Sequence, residues 1–62
     1  MVLVAIKALV GTNYVRPDHV IAVTATEQFK CVVVLTGGVT VPCYEAASDV
    51  IVKLGATTTL GT

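Results

Sequence analysis

Charged residues are scarce in this chain of 62 residues, where they make up 13% of the sequence and four Lys and Arg residues balance four Asp and Glu residues. A protein that neutralises many backbone phosphates needs a cluster of Lys and Arg. The sequence contains no such cluster, so we do not expect duplex nucleic acid as a partner. Disorder is also excluded, because disordered chains combine low hydrophobicity with high net charge and here 55% of the residues are hydrophobic.

A long uninterrupted apolar run is also missing. A membrane-spanning helix needs about 20 apolar residues, whereas the apolar run over residues 1–10 contains Lys7 and ends at Gly11. A secretory signal carries its basic residues before the apolar stretch, and the early charge here lies inside that stretch. We therefore expect a cytoplasmic protein with no membrane partner.

Cysteine and histidine are too few for most metal sites and for covalent catalysis. The sequence has two cysteines, Cys31 and Cys43, and one histidine, His19, while a structural zinc site takes four ligands. The best set of nucleophile, base and orienting group would be Cys43, His19 and Asp18. Asp18 and His19 are neighbours in a predicted turn, where they are poorly placed to form a relay. We expect no enzyme activity, no catalytic residue, no metal and no cofactor.

Short runs rich in β-branched residues predict strands at residues 2–6, 20–23, 32–35 and 39–41. Residues that favour turns separate these runs: Gly11 and Asn13, then Pro17 and Asp18, then residues 26–28. Between the first two turns, Tyr14 and Val15 are expected to form a short return strand.

The Gly37-Gly38 pair predicts a hairpin with a two-residue turn, because such turns need positive φ at their central positions. This turn sets the expected cross-strand partners as Thr36 with Val39, Val34 with Val41, and Val32 with Cys43. The register places Cys31 and Cys43 on opposite faces of the sheet, which disfavours a disulfide between them. We expect two reduced cysteines that pack as small apolar side chains.

The hydrophobic period changes near the C-terminus. Ala47, Val50, Ile51 and Leu54 have the spacing of an amphipathic helix, and Gly55 is a typical helix stop. The predicted fold class is therefore α+β: a small antiparallel β-sheet with hairpins, followed by one helix over about residues 45–54. Residues 1–54 are expected to form one domain, and residues 55–62 a flexible tail or an arm exchanged with a neighbour.

One helix covers only one face of such a sheet, and a domain of about 60 residues is marginally stable alone. We therefore expect the other sheet face to be exposed and to join copies of the chain into a homo-oligomer. The residues expected at this interface are Val4, Ile6, Val33 and Leu35.

The order of strands, turns and helix resembles that of the small flagellar FlbD-like family of bacteria and phages. The resemblance covers residues 2–54 and rests on residues 15–21 (VRPDHVI), 32–38 (VVVLTGG) and 44–51 (YEAASDVI). It implies a βββα fold and an oligomeric, non-catalytic interaction protein.

A few polar residues remain as candidates for ligand binding. Arg16 offers a guanidinium fork near aromatic surface, which suits a phosphate and a stacked base. Lys7 interrupts an apolar strand, either to protect a sheet edge or to place a cation in an interface. The complete candidate set is Lys7, Thr12, Tyr14, Arg16, His19 and Lys30.

Two functions are compatible with these patterns. The first is a homo-oligomer that holds a small anionic, nucleotide-like ligand at its subunit interfaces, as a phage-type sequestering protein would. The second, implied by the FlbD-like resemblance, is a protein–protein interaction module in a bacterial motility or regulatory assembly.

Overall fold

Two small antiparallel sheets and one C-terminal helix make up residues 2–55, the part of the chain that this computed structural model describes. This arrangement confirms the α+β class. The predicted tail or exchanged arm lies outside the described residues, apart from Gly55. The elements in chain order are β1 (Val4–Lys7), β2 (Thr12–Val15), a 3₁₀ turn (Pro17–His19), β3 (Val20–Glu27), β4 (Lys30–Leu35), β5 (Val39–Cys43) and α1 (Ala47–Lys53).

The first sheet is the hairpin of β1 and β2, in which Val4 pairs with Val15 and Lys7 with Thr12. Its four-residue loop closes through the Ala8 N–H, which donates to the Gly11 carbonyl at 3.2 Å. The hairpin confirms the predicted return strand. Strand β1 starts two residues later than expected and includes Lys7, whose backbone N–H and carbonyl both have partners near the start of α1.

The second sheet has the strand order β3-β4-β5. Strand β3 continues through Glu27, so the prediction of a turn over residues 26–28 is wrong and the turn consists of Gln28 and Phe29. Glu27 lies opposite Lys30, and their side chains form an ion pair at 3.2 Å. Opposite charges on directly paired residues stabilise a ladder. Glu27 and Lys30 form the last pair of the β3–β4 ladder before the turn.

The hairpin between β4 and β5 differs from the prediction by one residue. Leu35 pairs with Val39, so the loop contains three residues, Thr36, Gly37 and Gly38. Both glycines have positive φ, 86° and 80°, a conformation that favours glycine. The side-chain period of a strand is two residues, so the shift brings Cys31 and Cys43 directly opposite each other. The prediction that they lie on opposite faces is therefore wrong.

The hydrophobic core lies where both sheets meet the helix. Its buried members come from every strand pair and from α1, and they are Ile6, Val15, Cys31, Val33, Cys43 and Val50. The predicted oligomer interface is therefore incorrect for Ile6 and Val33, which are fully buried within one chain, while Val4 and Leu35 are partly buried against the core. The reason is that the β1–β2 sheet and the helix pack against the same face of the second sheet.

Helix α1 begins at Ala47, two residues later than predicted, because its N-cap Ala46 is extended and Glu45 uses its side chain for other contacts. The predicted apolar stripe is confirmed: Val50 is buried, and Ala47 and Leu54 pack against the core. The chain leaves the helix at Gly55, whose φ is 74°. In residues 2–55, no helix has the length and apolarity needed to cross a bilayer.

Candidate functional site

The structure divides the six predicted ligand-binding residues between two clefts. Lys7 and Lys30 line the first cleft, and Tyr14, Arg16 and His19 line the second. Thr12 is exposed opposite Lys7 in the β1–β2 ladder and lines neither cleft.

The first cleft is an open groove of about 570 Å³ between the β1–β2 loop and the β3–β4 turn. Strand β1 contributes Lys7 at its last position, strand β4 contributes Lys30 at its first, and Tyr44 follows β5 directly. The residues around this groove are Lys7, Ala8, Leu9, Glu27, Gln28, Phe29, Lys30 and Tyr44.

The first cleft carries a net positive charge, because two lysines face one carboxylate. Lys30 is partly neutralised by Glu27 at 3.2 Å, and its Nζ lies 5.2 Å from the centre of the Tyr44 ring, within cation–π distance. The Lys7 ammonium makes no ion pair within residues 2–55. Together with that of Lys53, its charge helps to lower the pKa of Glu45, but it is the less neutralised of the two cleft cations and the one more available to an anion.

Two backbone contacts hold Lys7 and Tyr44 side by side. The Tyr44 N–H donates to the Lys7 carbonyl at 2.7 Å, and the Lys7 N–H donates to Glu45 Oε2 at 2.6 Å. The Lys53 ammonium lies 2.6 Å from Glu45 Oε1. The Lys53 side chain, followed by the Lys7 N–H, holds the pKa of the Glu45 carboxyl below its ordinary value. Glu45 is thus ionised at neutral pH and holds the backbone of Lys7, which lines the cleft.

Two aromatic residues of the first cleft, Phe29 and Tyr44, are absent from the predicted ligand-binding set, and Phe29 is the more exposed of the two. Phe29 lies in the β3–β4 turn and is 65% exposed. Its apolar ring is therefore not stabilised by burial in the core. Phe29 is also the only Phe in the sequence, and it stands between Gln28 and Lys30. A single aromatic residue among polar turn residues was the signal that could have identified it.

The second cleft is smaller, about 260 Å³, and its charges are already paired. Arg16 Nη2 lies 3.0 Å from Asp18 Oδ2, and His19 Nδ1 lies 3.0 Å from Thr36 Oγ1. Desolvation raises the pKa of Asp18, but hydrogen bonds to its backbone N–H and to Arg16 outweigh this effect and leave the pKa below its ordinary value. The remaining wall is apolar and includes the exposed Leu3 and Tyr14.

The two clefts lie at opposite ends of the second sheet. Lys30 starts β4 and lines the first cleft, whereas Leu35 ends β4 and lines the second. A six-residue strand spans about 17 Å at its usual rise per residue. One chain therefore does not bring Lys7 and Arg16 to the same ligand.

The residues considered for nucleophilic catalysis are also separated. Cys43 is buried in the core opposite Cys31, while His19 contacts Thr36 beyond the other end of β4. Within the described part of the chain, no three side chains of His, Cys, Asp or Glu are grouped so that they could hold a metal ion. The chemistry that this arrangement offers is binding by ammonium groups and aromatic rings.

Comparison of the chain with family models, curated proteins and solved structures finds no match in any of the three. The FlbD-like resemblance therefore stays a prediction from residues 15–21, 32–38 and 44–51.

Proposed function

We propose that the protein is a non-enzymatic, homo-oligomeric binding protein of the cytoplasm that holds a small anionic ligand with an aromatic ring, such as a nucleotide, in the first cleft. The observation that carries this proposal is the grouping of two ammonium groups, Lys7 and Lys30, with two aromatic rings, Phe29 and Tyr44. Phosphate is recognised by cations, and a base stacks on aromatic side chains.

The ligand's two parts match different walls of the cleft. The Lys7 ammonium, without an ion pair in residues 2–55, suits a phosphate. The exposed ring of Phe29 suits the face of a base, because the ring is already at the surface and can stack without leaving the core. The volume of about 570 Å³ falls in the range of small-molecule sites, about 300–1,000 Å³.

A second copy of the chain would close this cleft. Leu9 is 72% exposed beside Phe29, so the cleft is shallow and its apolar wall is open to water. A pocket at a subunit boundary encloses a ligand that one small chain leaves exposed.

Adenosine monophosphate (AMP) and its two halves provide the test. Amide chemical shifts of the ¹⁵N-labelled protein would be followed during titration with AMP, adenosine and inorganic phosphate. We expect AMP to shift Lys7, Leu9, Phe29 and Tyr44, and each half to bind more weakly than AMP. If AMP causes no saturable shift, or if phosphate alone causes equal shifts, the cleft does not recognise both a phosphate and a base, and the proposal is wrong.

Substitutions in the two clefts locate the ligand within the chain. Lys7→Gln removes the ammonium without breaking an ion pair of residues 2–55, and it should weaken AMP binding about tenfold, as expected for a hydrogen bond to a charged group. Lys30→Gln is less informative, because Lys30 also holds Glu27 and Tyr44. Arg16→Gln is the matched control in the second cleft and should leave the affinity for AMP unchanged.

The alternative function, an FlbD-like protein–protein interaction module, is favoured by one different observation. Leu3, Tyr14 and Val39 are each more than half exposed and line the second cleft together. Clustered exposed apolar side chains are typical of protein interfaces. Under this alternative, Tyr14→Ser would abolish capture of a protein partner, whereas Phe29→Ser would not. The ligand hypothesis predicts that Phe29→Ser abolishes AMP binding and that Tyr14→Ser does not.

A further inference from the structure

The core contains two thiols in direct register, and the proposed ligand binding does not use them. Cys31 and Cys43 are cross-strand partners in the β4–β5 ladder. Both are free, and each is 1% exposed. Residues directly opposite each other in an antiparallel pair have Cα atoms about 4.5–5.5 Å apart. A disulfide spans Cα separations of about 4.4–6.8 Å, so the register allows a bond without a change in strand pairing.

We propose that Cys31 and Cys43 are a reversible disulfide pair, which a small-molecule disulfide such as glutathione disulfide oxidises and a thiol reduces. In the first step the thiolate of one cysteine attacks glutathione disulfide, forms a mixed disulfide and releases one glutathione thiolate. In the second step the other cysteine thiolate attacks the mixed disulfide and releases the second glutathione. The two protons lost by the protein thiols end on the two glutathione molecules, and two electrons pass to the oxidant.

Access to the pair sets the rate of this exchange. Burial raises the pKa of both thiols, and the thiolate is the reacting form. Strand β5 is an edge strand of the second sheet, and on its outer side Asn13 Nδ2 donates to the Pro42 carbonyl at 2.9 Å and to Cys43 Sγ at 3.8 Å. Cys43 therefore becomes accessible only when these contacts and the pairing with β4 open together. The exchange should therefore be slow at neutral pH and faster at higher pH, and in a reducing compartment the pair stays as two thiols.

Each cysteine of the pair is next in sequence to a residue that lines the first cleft. Lys30 precedes Cys31, Tyr44 follows Cys43, and the Lys30 ammonium faces the Tyr44 ring at 5.2 Å. A disulfide would fix the spacing of these two cleft residues and so link oxidation to ligand affinity. This last link rests on the proposed function, whereas disulfide formation itself does not.

The test exposes the native protein to glutathione disulfide and follows the intact mass and the number of free thiols. In the wild-type protein we expect both free thiols to disappear together and the intact mass to fall by two hydrogen atoms, as a disulfide forms. Dithiothreitol should then restore the original mass. The single variants Cys31→Ser and Cys43→Ser should instead gain one glutathione each. Persistence of both thiols, or a wild-type product that carries glutathione or links two chains, would overturn the proposal.

Two further readings separate the disulfide from the ligand hypothesis. The oxidised wild-type protein should unfold at a higher urea concentration than the reduced protein, because the bond constrains the unfolded chain. An unchanged or lower midpoint would show that the bond does not fit the native ladder and would overturn the proposal. If the disulfide forms and raises the midpoint but AMP affinity is the same in both forms, the link to the first cleft is wrong and the disulfide pair stands.

Discussion

The carboxylate of Glu45 accepts a hydrogen bond from the backbone N–H of Lys7 at 2.6 Å, and this contact joins the segment before α1 to the end of β1. The same carboxylate receives the Lys53 ammonium from the last turn of the helix. Glu45 therefore ties a strand of the first sheet to the helix, at the wall of the first cleft. The position of Lys7 depends on this contact.

Removal of the Glu45 side chain should destabilise the protein. Glu45→Ala leaves the Lys7 N–H and the Lys53 ammonium without their partner, and we expect a loss of about 1–3 kcal/mol in the free energy of unfolding. Asp49→Ala is the control, because Asp49 is an exposed acid on α1 and its loss should cost less than about 1 kcal/mol. Urea denaturation of both variants measures the difference. Equal losses would show that Glu45 has no special role.

The stability contributed by Glu45 should depend on pH. Its pKa is below the ordinary value in the folded protein, mainly because of Lys53 and the Lys7 N–H. The contribution is therefore complete above the ordinary pKa of Glu, about 4.3, and is lost as the pH falls through the lower folded value. Urea midpoints measured from pH 7 to pH 3 should fall less in Glu45→Gln than in the wild type. Parallel curves would contradict this assignment, because Asp18 contributes equally to both proteins.

Two isoleucines give a matched test of the core. Ile6 is fully buried, whereas Ile21 is 63% exposed at a bulge in β3. Ile6→Ala should cost about 2–5 kcal/mol, since it leaves a cavity in the core, and Ile21→Ala less than about 0.5 kcal/mol. Thermal or urea unfolding measures both. If Ile6 instead formed a subunit contact, Ile6→Ala would change the solution mass with little effect on the stability of the monomer.

The three-residue hairpin loop should be sensitive at Gly38. Its φ is 80°, and a Cβ at this position would meet no atom within 4 Å. Backbone strain is therefore the only cost of Gly38→Ala, and we expect about 1–2 kcal/mol. Gly38→Asn should cost less, because Asn tolerates this conformation. Equal stability of the two variants in urea would contradict strain as the cause.

Local sequence patterns predicted the elements of this fold well. β-branched runs located the strands, and the spacing of Ala47, Val50 and Leu54 located the helix, because these patterns follow from the side-chain periods of strand and helix. Gly55 correctly marked the end of the helix. Element boundaries differed by a few residues where side-chain contacts, such as those of Glu45 and Glu27, decided them.

The register and the layering were not predictable in the same way. A Gly-Gly pair is compatible with hairpin loops of two or three residues. This difference of one residue in loop length decides whether Cys31 and Cys43 share a face. The apolar run of β1 did not reveal that its hairpin would form a separate sheet over Val33. The sequence singled out Lys7 and Lys30 by type, but it did not indicate that Phe29 would line the same cleft, because the cleft depends on how loops from both sheets meet.

The most direct test of the proposed function is native mass spectrometry of the untagged protein with and without added AMP. We expect a multimer of the 6.4 kDa chain that retains AMP, and a Lys7→Gln multimer of the same size that retains less of it at the same AMP concentration. A monomer at 6.4 kDa, or a multimer that retains no AMP, would contradict the account.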